Sequence, residues 1–412
     1  MKTNKWTIAA AAVGLHISIG SVYAWSVLVN PIIQQCGFSL TATTFIFSIA
    51  IFFLGVGAST FGKYVDKYGA KKVSLIGTLL FVTGFLGSAY AVSIHSLMLL
   101  YLFYGCFVGC ATGICYVSPV STLMKYFYKH PGIGAGICIA GFGASATIAS
   151  PLMNYLVTNY GLVNNFLIMG TGYGILMLCS SCLFAPPPTE ALKKILKNDP
   201  GVPPQEAYKS WPFKALFFTF YINIACGIAI LALLSPMLQS DFGFDAVTAA
   251  SFVGLVGIAN CTGRFIWASL SDVLTRPITY IIFAGLGLLM YLSSATISNL
   301  FIFEISILTI ISMYGGFFSC MPAYINDIWG KKHLSTIHGK ILLAWGCAGI
   351  SSPIALSYCK DITGSYMPMM CIFVLGMFIN LCILWKLRKM LLEQKSQEVD
   401  NFTNIVKKIK GE

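Results

Sequence analysis

Long apolar runs separated by short polar stretches recur along the whole chain. They lie at roughly 6–29, 42–61, 73–92, 96–119, 133–157, 163–184, 213–238, 246–270, 278–297, 300–323, 338–358 and 366–386, and each has about the 20 residues that a helix needs to cross hydrocarbon. Backbone groups in lipid find no water to pair with, so each run is predicted to be an α-helix. The pattern therefore predicts about twelve membrane spans, numbered here one to twelve in chain order.

The polar stretches carry the second signal. Lys2 and Lys5, then Lys63, Lys67, Lys71 and Lys72, then Lys125 and Lys129, fall at alternate ends of the runs. So do Lys193, Lys194, Lys197, Lys209 and Lys214, then Arg276, then Lys331, Lys332 and Lys340, and finally Lys386, Arg388, Lys389 and the tail. The other set of ends carries only Lys360, and the remaining basic residue, Arg264, falls well inside a run. Basic residues gather on the cytoplasmic side, so both termini are expected there and the number of spans is even. The first run is too long for a signal-peptide core and shows no small-residue cleavage site, so it reads as a retained helix.

Composition agrees. Of 412 residues 57% are hydrophobic and only 10% are charged, too few to coat a water-facing surface. The net charge of +12 would suit nucleic acid, but the lysines sit in clusters between apolar runs and form no soluble basic patch. The lipid bilayer is the expected environment. Most of the 14 cysteines fall inside apolar runs and read as small core side chains. Cys179-Ser-Ser-Cys182 has no companion motif, so no metal or redox site is expected from it.

A polar stretch at about 185–212 divides the chain nearly in half, with Pro186-Pro187-Pro188, Pro203-Pro204 and several lysines. The expected organisation is a six-helix bundle over 1–184, a linker over 185–212, a second six-helix bundle over 213–387 and a tail over 388–412. The halves share features. Gly62-Lys-Tyr-Val-Asp66 follows span two as Ala268-Ser-Leu-Ser-Asp272 follows span eight. Ser150-Pro151 closes span five as Ser352-Pro353 closes span eleven. Two related halves with a site between them describe a secondary transporter.

The most specific local pattern is Gly62-Lys-Tyr-Val-Asp66-Lys67-Tyr-Gly69-Ala-Lys71-Lys72. Its glycines permit a tight turn, and Asp66 can pair with cations or cap a helix. The loop resembles the signature loop of the major facilitator superfamily. Gly20-Ser-Val-Tyr23-Ala-Trp25 through Pro31 resembles span one of the oxalate/formate antiporter family. So do Gly132-Ile-Gly134-Ala-Gly136 through Gly143, Asn260 through Asp272, and Met321-Pro322 through Gly330. The resemblance covers essentially the whole chain. It implies an all-α membrane protein of twelve helices in two pseudo-symmetric bundles. It also implies a carrier of a small organic anion, with Gly62, Asp66, Lys67, Gly69, Lys71 and Asp272 as a conformational latch.

Arg264 is the leading candidate for the site. A charge inside a span is costly and usually functional, and a guanidinium fork suits a carboxylate. Snorkelling, or a structural pair with Asp272, is the plainer reading. The resemblance implies that Arg264 binds the substrate carboxylate. It also places Tyr23, Tyr116, Phe142, Tyr314, Phe318 and Trp345 at the lining of a cavity. Most aromatics in such a chain only pack helices or mark interfaces.

Oxalate-carrying members have a lysine in span eleven, and Gly346 falls at that position here. One fixed cation suits a monocarboxylate better than a dianion, and Gly346→Lys would then favour dianions. His16 and His338 are more simply packed side chains than proton relays. Gly105, Gly109 and Gly113 recur at the spacing of close helix contact, which suits either a sliding interface or static packing.

No G-x-x-x-x-G-K-[ST] loop is present, so direct ATP coupling is not expected, and no cofactor is implied. A membrane enzyme would show several intramembrane His, Asp or Glu residues at ligand spacing, and the sequence has none such. A transporter-like sensor is the less favoured reading, because the short tail and small linker leave little room for an output domain. A carrier of amino acids or other small polar solutes is the main alternative. The expected setting is the cell (inner) membrane, with a single chain forming a complete pathway as a monomer.

Overall fold

The computed structural model describes residues 4–127, 131–185, 201–296, 299–330 and 333–410. The sequence-predicted linker lies mostly outside these residues. Among the described residues, eleven helices are long and apolar enough to cross a membrane. One of them, Pro131–Leu183, is bent at Gly161 (φ 82°) into spans five and six, which makes twelve spans.

Span two is Leu40–Tyr68, span three Ala70–Ser93 and span seven Trp211–Phe242. Span eight is Ala246–Leu274, span nine Arg276–Thr296 and span ten Leu300–Trp329. Span eleven is Leu334–Thr363, and span twelve runs on as one helix from Met367 to Lys410, through the predicted tail.

Two spans depart from the single straight helix that the apolar runs predict. Span one is helical over Lys5–Gly20, tightens to a 3₁₀ turn at Ser21–Ala24 and resumes as Ser26–Cys36. The cause is local. The Ser21 N–H turns to Ser18 O, while the Ser145 hydroxyl of span five donates to Ile17 O at 2.5 Å. A side chain inserted into the backbone ladder breaks a helix in this way. Span four widens to π-type spacing over Tyr101–Val108, between Leu97–Leu100 and Gly109–Tyr126. Neither break is visible in the apolar pattern, because both lie within unbroken hydrophobic sequence.

Polar side chains inside the spans are mostly satisfied by their own helix. Ser74, Thr78, Ser88, Thr112 and Ser118 each donate to the carbonyl four residues back, at 2.7–2.9 Å. Large apolar side chains such as Leu79, Phe301 and Ile372 are exposed, as lipid-facing residues must be.

The halves repeat in backbone detail. Gly69 (φ 82°, ψ 156°) joins spans two and three, and Thr275 (φ 75°, ψ 149°) joins spans eight and nine with nearly the same dihedrals. The turn that glycine makes freely in the first half is thus made by a strained threonine in the second. Gly62 does not turn the chain as its sequence suggests. It lies within span two, and only Gly69 makes the turn.

The two halves meet where span two packs on span eleven and span five on span eight. Glycines set these distances. A Cβ at Gly55 would lie 3.0 Å from Gly346 Cα, and one at Gly257 would lie 2.8 Å from Thr147 N. Gly105, Gly109 and Gly113 instead face Ile49, Ala50 and Leu54 of span two, in their own half. They fix packing within the first bundle and do not line the interface between bundles.

At the end away from the lysine clusters, polar contacts clasp the halves together. Asn30 Nδ2 donates to Gln239 Oε1 at 3.0 Å, and Gln239 Nε2 donates to Ser235 at 2.9 Å. Asp361 accepts from the hydroxyl of Thr41 and, at 3.3 Å, from its backbone N–H, so span eleven caps the first turn of span two. Beside this clasp Lys360 pairs with Asp241 at 2.7 Å and sits 4.6 Å from the Tyr366 ring.

Candidate functional site

Arg264 lies in the middle of span eight and is 2% exposed. Among the described residues no other Lys, Arg, Asp or Glu is buried. It does not snorkel, and it does not pair with Asp272. Asp272 is instead bound by Arg276, which also bonds Ser271 and lies 3.7 Å from Asp327.

The guanidinium is held on two sides. Nε donates to Asn260 Oδ1, one turn back on the same helix, at 3.1 Å. One terminal nitrogen donates to Ile139 O of span five, across the interface between the halves, at 2.7 Å. Glycines leave room for it. A Cβ at Gly143 would lie 3.0 Å from Arg264 Nε, and one at Gly315 would lie 3.1 Å from Arg264 Cγ.

Around this charge the fold gathers all six aromatic residues singled out in the sequence. The Arg264 guanidinium carbon lies 5.9 Å from the Phe142 ring centre and 5.6 Å from that of Phe318, a cation–π geometry. Phe142 meets Tyr23 edge-on at 4.9 Å, Tyr116 at 5.6 Å and Trp345 at 5.9 Å. Trp345 also packs on Phe318 at 4.6 Å and on Tyr116 at 5.6 Å. The Tyr23 and Tyr314 hydroxyls bond each other at 2.9 Å and so link the two halves.

Two polar atoms in the cluster are buried without a protein hydrogen bond, Tyr116 Oη and Trp345 Nε1. Tyr116 lies within electrostatic reach of Arg264. A buried hydroxyl or indole N–H left unpaired costs about 1–3 kcal/mol. Both are hydrogen-bond donors, as is the guanidinium, and an oxyanion accepts from groups of this kind.

Gly346 is not part of this set. A Cβ there would lie 3.1 Å from Phe52 O of span two, so the position faces a helix backbone and not Arg264. The expectation that Gly346→Lys would add a second cation to the site is corrected accordingly. That substitution is expected to lower the yield of folded protein severalfold, without a shift in anion selectivity among what folds. Size-exclusion profiles and competition assays on the remaining protein check it.

Of the proposed latch, Gly62, Gly69 and Lys71 lie at the end of span two and the turn after it, and Asp272 lies at the matching end of span eight. The side chains of Asp66 and Lys67 fall outside the described residues.

The resemblance points to Arg264 and the aromatics, and it gives no role to Asn260, Gly143 or Gly315, which the structure places against Arg264. Asn260 was legible as the i−4 neighbour of a buried arginine. The two glycines were not, because their use depends on which helices meet.

Comparison with known proteins agrees with this architecture. Residues 10–389 match the Major Facilitator Superfamily. The chain belongs to that superfamily. It is 23% identical to an uncharacterised MFS-type transporter of Escherichia coli K12, over 84% of this chain and 86% of the other. It is 24% identical to the oxalate:formate antiporter of Oxalobacter formigenes, over 84% and 83%. It is 26% identical to monocarboxylate transporter 4 of Gallus gallus, over 87% and 78%. The fold matches a partially occluded, inward-open structure of the E. coli xylose transporter XylE, with a TM-score of 0.70 at 12% identity. That match covers 93% of this chain and 99% of XylE.

Proposed function

We propose that this transporter is a secondary carrier of a small monocarboxylate that works by alternating access. The single observation that carries the reading is Arg264, the one buried charge among the described residues, enclosed by aromatic rings beside two unpaired donors. One guanidinium balances one carboxylate. A dianion would leave a negative charge uncompensated in a low-dielectric site, which costs several kcal/mol. An amino acid would need an acidic partner for its ammonium group, and no described Asp or Glu is buried. The names of the oxalate:formate and monocarboxylate relatives point to the same substrate class.

In this reading the halves rock about the site, the lysine-rich ends and both termini face the cytoplasm, and one chain forms the pathway. The protein is reconstituted in liposomes loaded with unlabelled substrate and given labelled formate, lactate, pyruvate, oxalate and amino acids in turn. Exchange of the monocarboxylates, with oxalate weaker and amino acids absent, is expected. Amino-acid exchange without monocarboxylate exchange overturns the reading.

Alternating access also requires the clasp at Thr41 and Asp361 to open. Asp361→Ala removes a helix cap and a charged acceptor, together about 1 kcal/mol at this exposed position. The share of molecules open on that side is expected to rise about fivefold. Spin-label distances between positions 34 and 362 read this directly.

A further inference from the structure

Where span seven begins and span twelve leaves its apolar run, the two helices pack side by side and both carry cations. Span seven supplies Trp211 and Lys214, and span twelve supplies Trp385, Lys386, Arg388 and Lys389. Lys386 Nζ lies 5.1 Å from the centre of the Trp211 ring, a cation–π contact that pins the ammonium of one helix over the other. Arg388 engages a different ring, with its guanidinium carbon 5.8 Å from the centre of Trp385. Lys214 follows Trp211 by one turn and is exposed. A ring holds an ammonium in place but does not cancel its charge.

Carboxylates do not cancel it either. Among the described residues the ion pairs belong to Arg276, with Asp272 and Asp327, and to Lys360, with Asp241. Glu206, just before span seven, and Glu393, one turn beyond Lys389, are exposed and stand outside these pairs. Span twelve runs on as helix to Lys410, so its cations stand on a continuous backbone and not on a fraying end. The apolar part of the seam continues from the same place. Ile372, Leu375 and Ile379 share a helix face with Lys386, and all three are exposed, as is Phe218 one turn beyond Lys214. Leu375 lies about 16 Å along the helix from Lys386, close to the hydrocarbon depth of one leaflet. Gly376 lets the helices approach there, since a Cβ would lie 3.5 Å from Ile222 Cγ2 of span seven.

We propose that the lysine-rich end of the seam between spans seven and twelve is a binding site for one anionic phospholipid. Its phosphate accepts from Lys214 and Lys386, one from each helix, and an acyl chain lies along Phe218 and Ile379. Basic pockets between spans recognise anionic headgroups in this way. A zwitterionic headgroup fits less well, because its own ammonium meets the same lysines. Snorkelling lysines alone would attract any anionic surface, but that attraction would not depend on the Trp211 ring. The site lies on the outer surface of the second bundle and draws nothing from the monocarboxylate reading.

The test uses the purified full chain in detergent, titrated with phosphatidylglycerol or phosphatidylcholine and read by native mass spectrometry. Wild type is expected to retain one phosphatidylglycerol at concentrations where phosphatidylcholine is lost. Lys214→Gln with Lys386→Gln is expected to weaken that binding about thirtyfold. Trp211→Leu keeps every charge but frees Lys386, and it is expected to weaken binding about threefold. Lys5→Gln with Lys72→Gln removes the same charge from the first bundle and is expected to leave binding unchanged.

Equal losses in the two double variants, or no loss in Trp211→Leu, mean attraction to general surface charge only and overturn the proposal. Wild type that retains both lipids equally overturns it as well. Should a variant fail to fold, wild type alone decides. Phosphatidylglycerol with a photoreactive acyl chain is expected to crosslink within residues 211–222 and 372–389. Crosslinks confined to other spans overturn the proposal.

Discussion

Arg264→Gln is expected to reduce monocarboxylate uptake and affinity on the order of a hundredfold or more, while the folded protein becomes no less stable. The two effects have one origin. A guanidinium inside a span costs about 2.5–3.5 kcal/mol on insertion scales, so removing it relieves the fold of an expensive group. The same removal leaves an incoming carboxylate buried without its counter-charge, a loss of about 3–5 kcal/mol. Gln is short and neutral, and it cannot hold both Asn260 Oδ1 and Ile139 O as Arg264 does. Arg264→Lys keeps the charge but loses the planar fork, so its activity is expected to fall between the two. Melting temperature and lactate exchange, measured on the same preparation, check the pair of effects. A variant that melts as wild type and still exchanges at the wild-type rate excludes Arg264 as the binding group.

The parts of this architecture that the sequence made legible share a physical cause. Spans show because lipid demands continuous apolar helices, and Arg264 shows because a charge there is rare. Halves show because Asp66 and Asp272, or Pro151 and Pro353, recur at matching places. What stayed hidden is the direction in which each side chain points. A helix surrounded by lipid and other helices is apolar all round, so periodicity no longer marks an inner face. Gly346 illustrates the loss. It is one residue from Trp345, which joins the aromatic cluster, yet the turn of the helix points it at Phe52. Gly105, Gly109 and Gly113 have the spacing of an interface, but their partner, span two of the same half, depends on the fold. The break at Ser21–Ala24 needs Ser145 from a span more than a hundred residues away. His16 reads as an ordinary packed residue, but its partners Cys138 O and Tyr116 O are set by the fold.

The glycine contacts between spans eight and ten carry the second large prediction. A Cβ at Gly315 would lie 2.3 Å from Asn260 O and 2.6 Å from Asn260 Oδ1, and one at Gly263 would lie 2.2 Å from Ser312 O. The two backbones therefore touch on both sides, and the stem of Arg264 lies across the contact. The obstacle to a methyl group at Gly315 is mainly backbone, which cannot rotate aside. Gly315→Ala is expected to force the helices apart and to destabilise the protein by about 1–3 kcal/mol. The displacement also moves Asn260, which orients Nε of Arg264, so lactate affinity is expected to fall further than the loss of folded protein explains. Gly285→Ala serves as the comparison. It lies in span nine, where an added Cβ would meet nothing within 4 Å. That change is expected to leave melting and exchange near wild type, since alanine favours a helix. Should Gly315→Ala melt and exchange like Gly285→Ala, spans eight and ten are not in backbone contact, and Arg264 owes its position to something other than that contact.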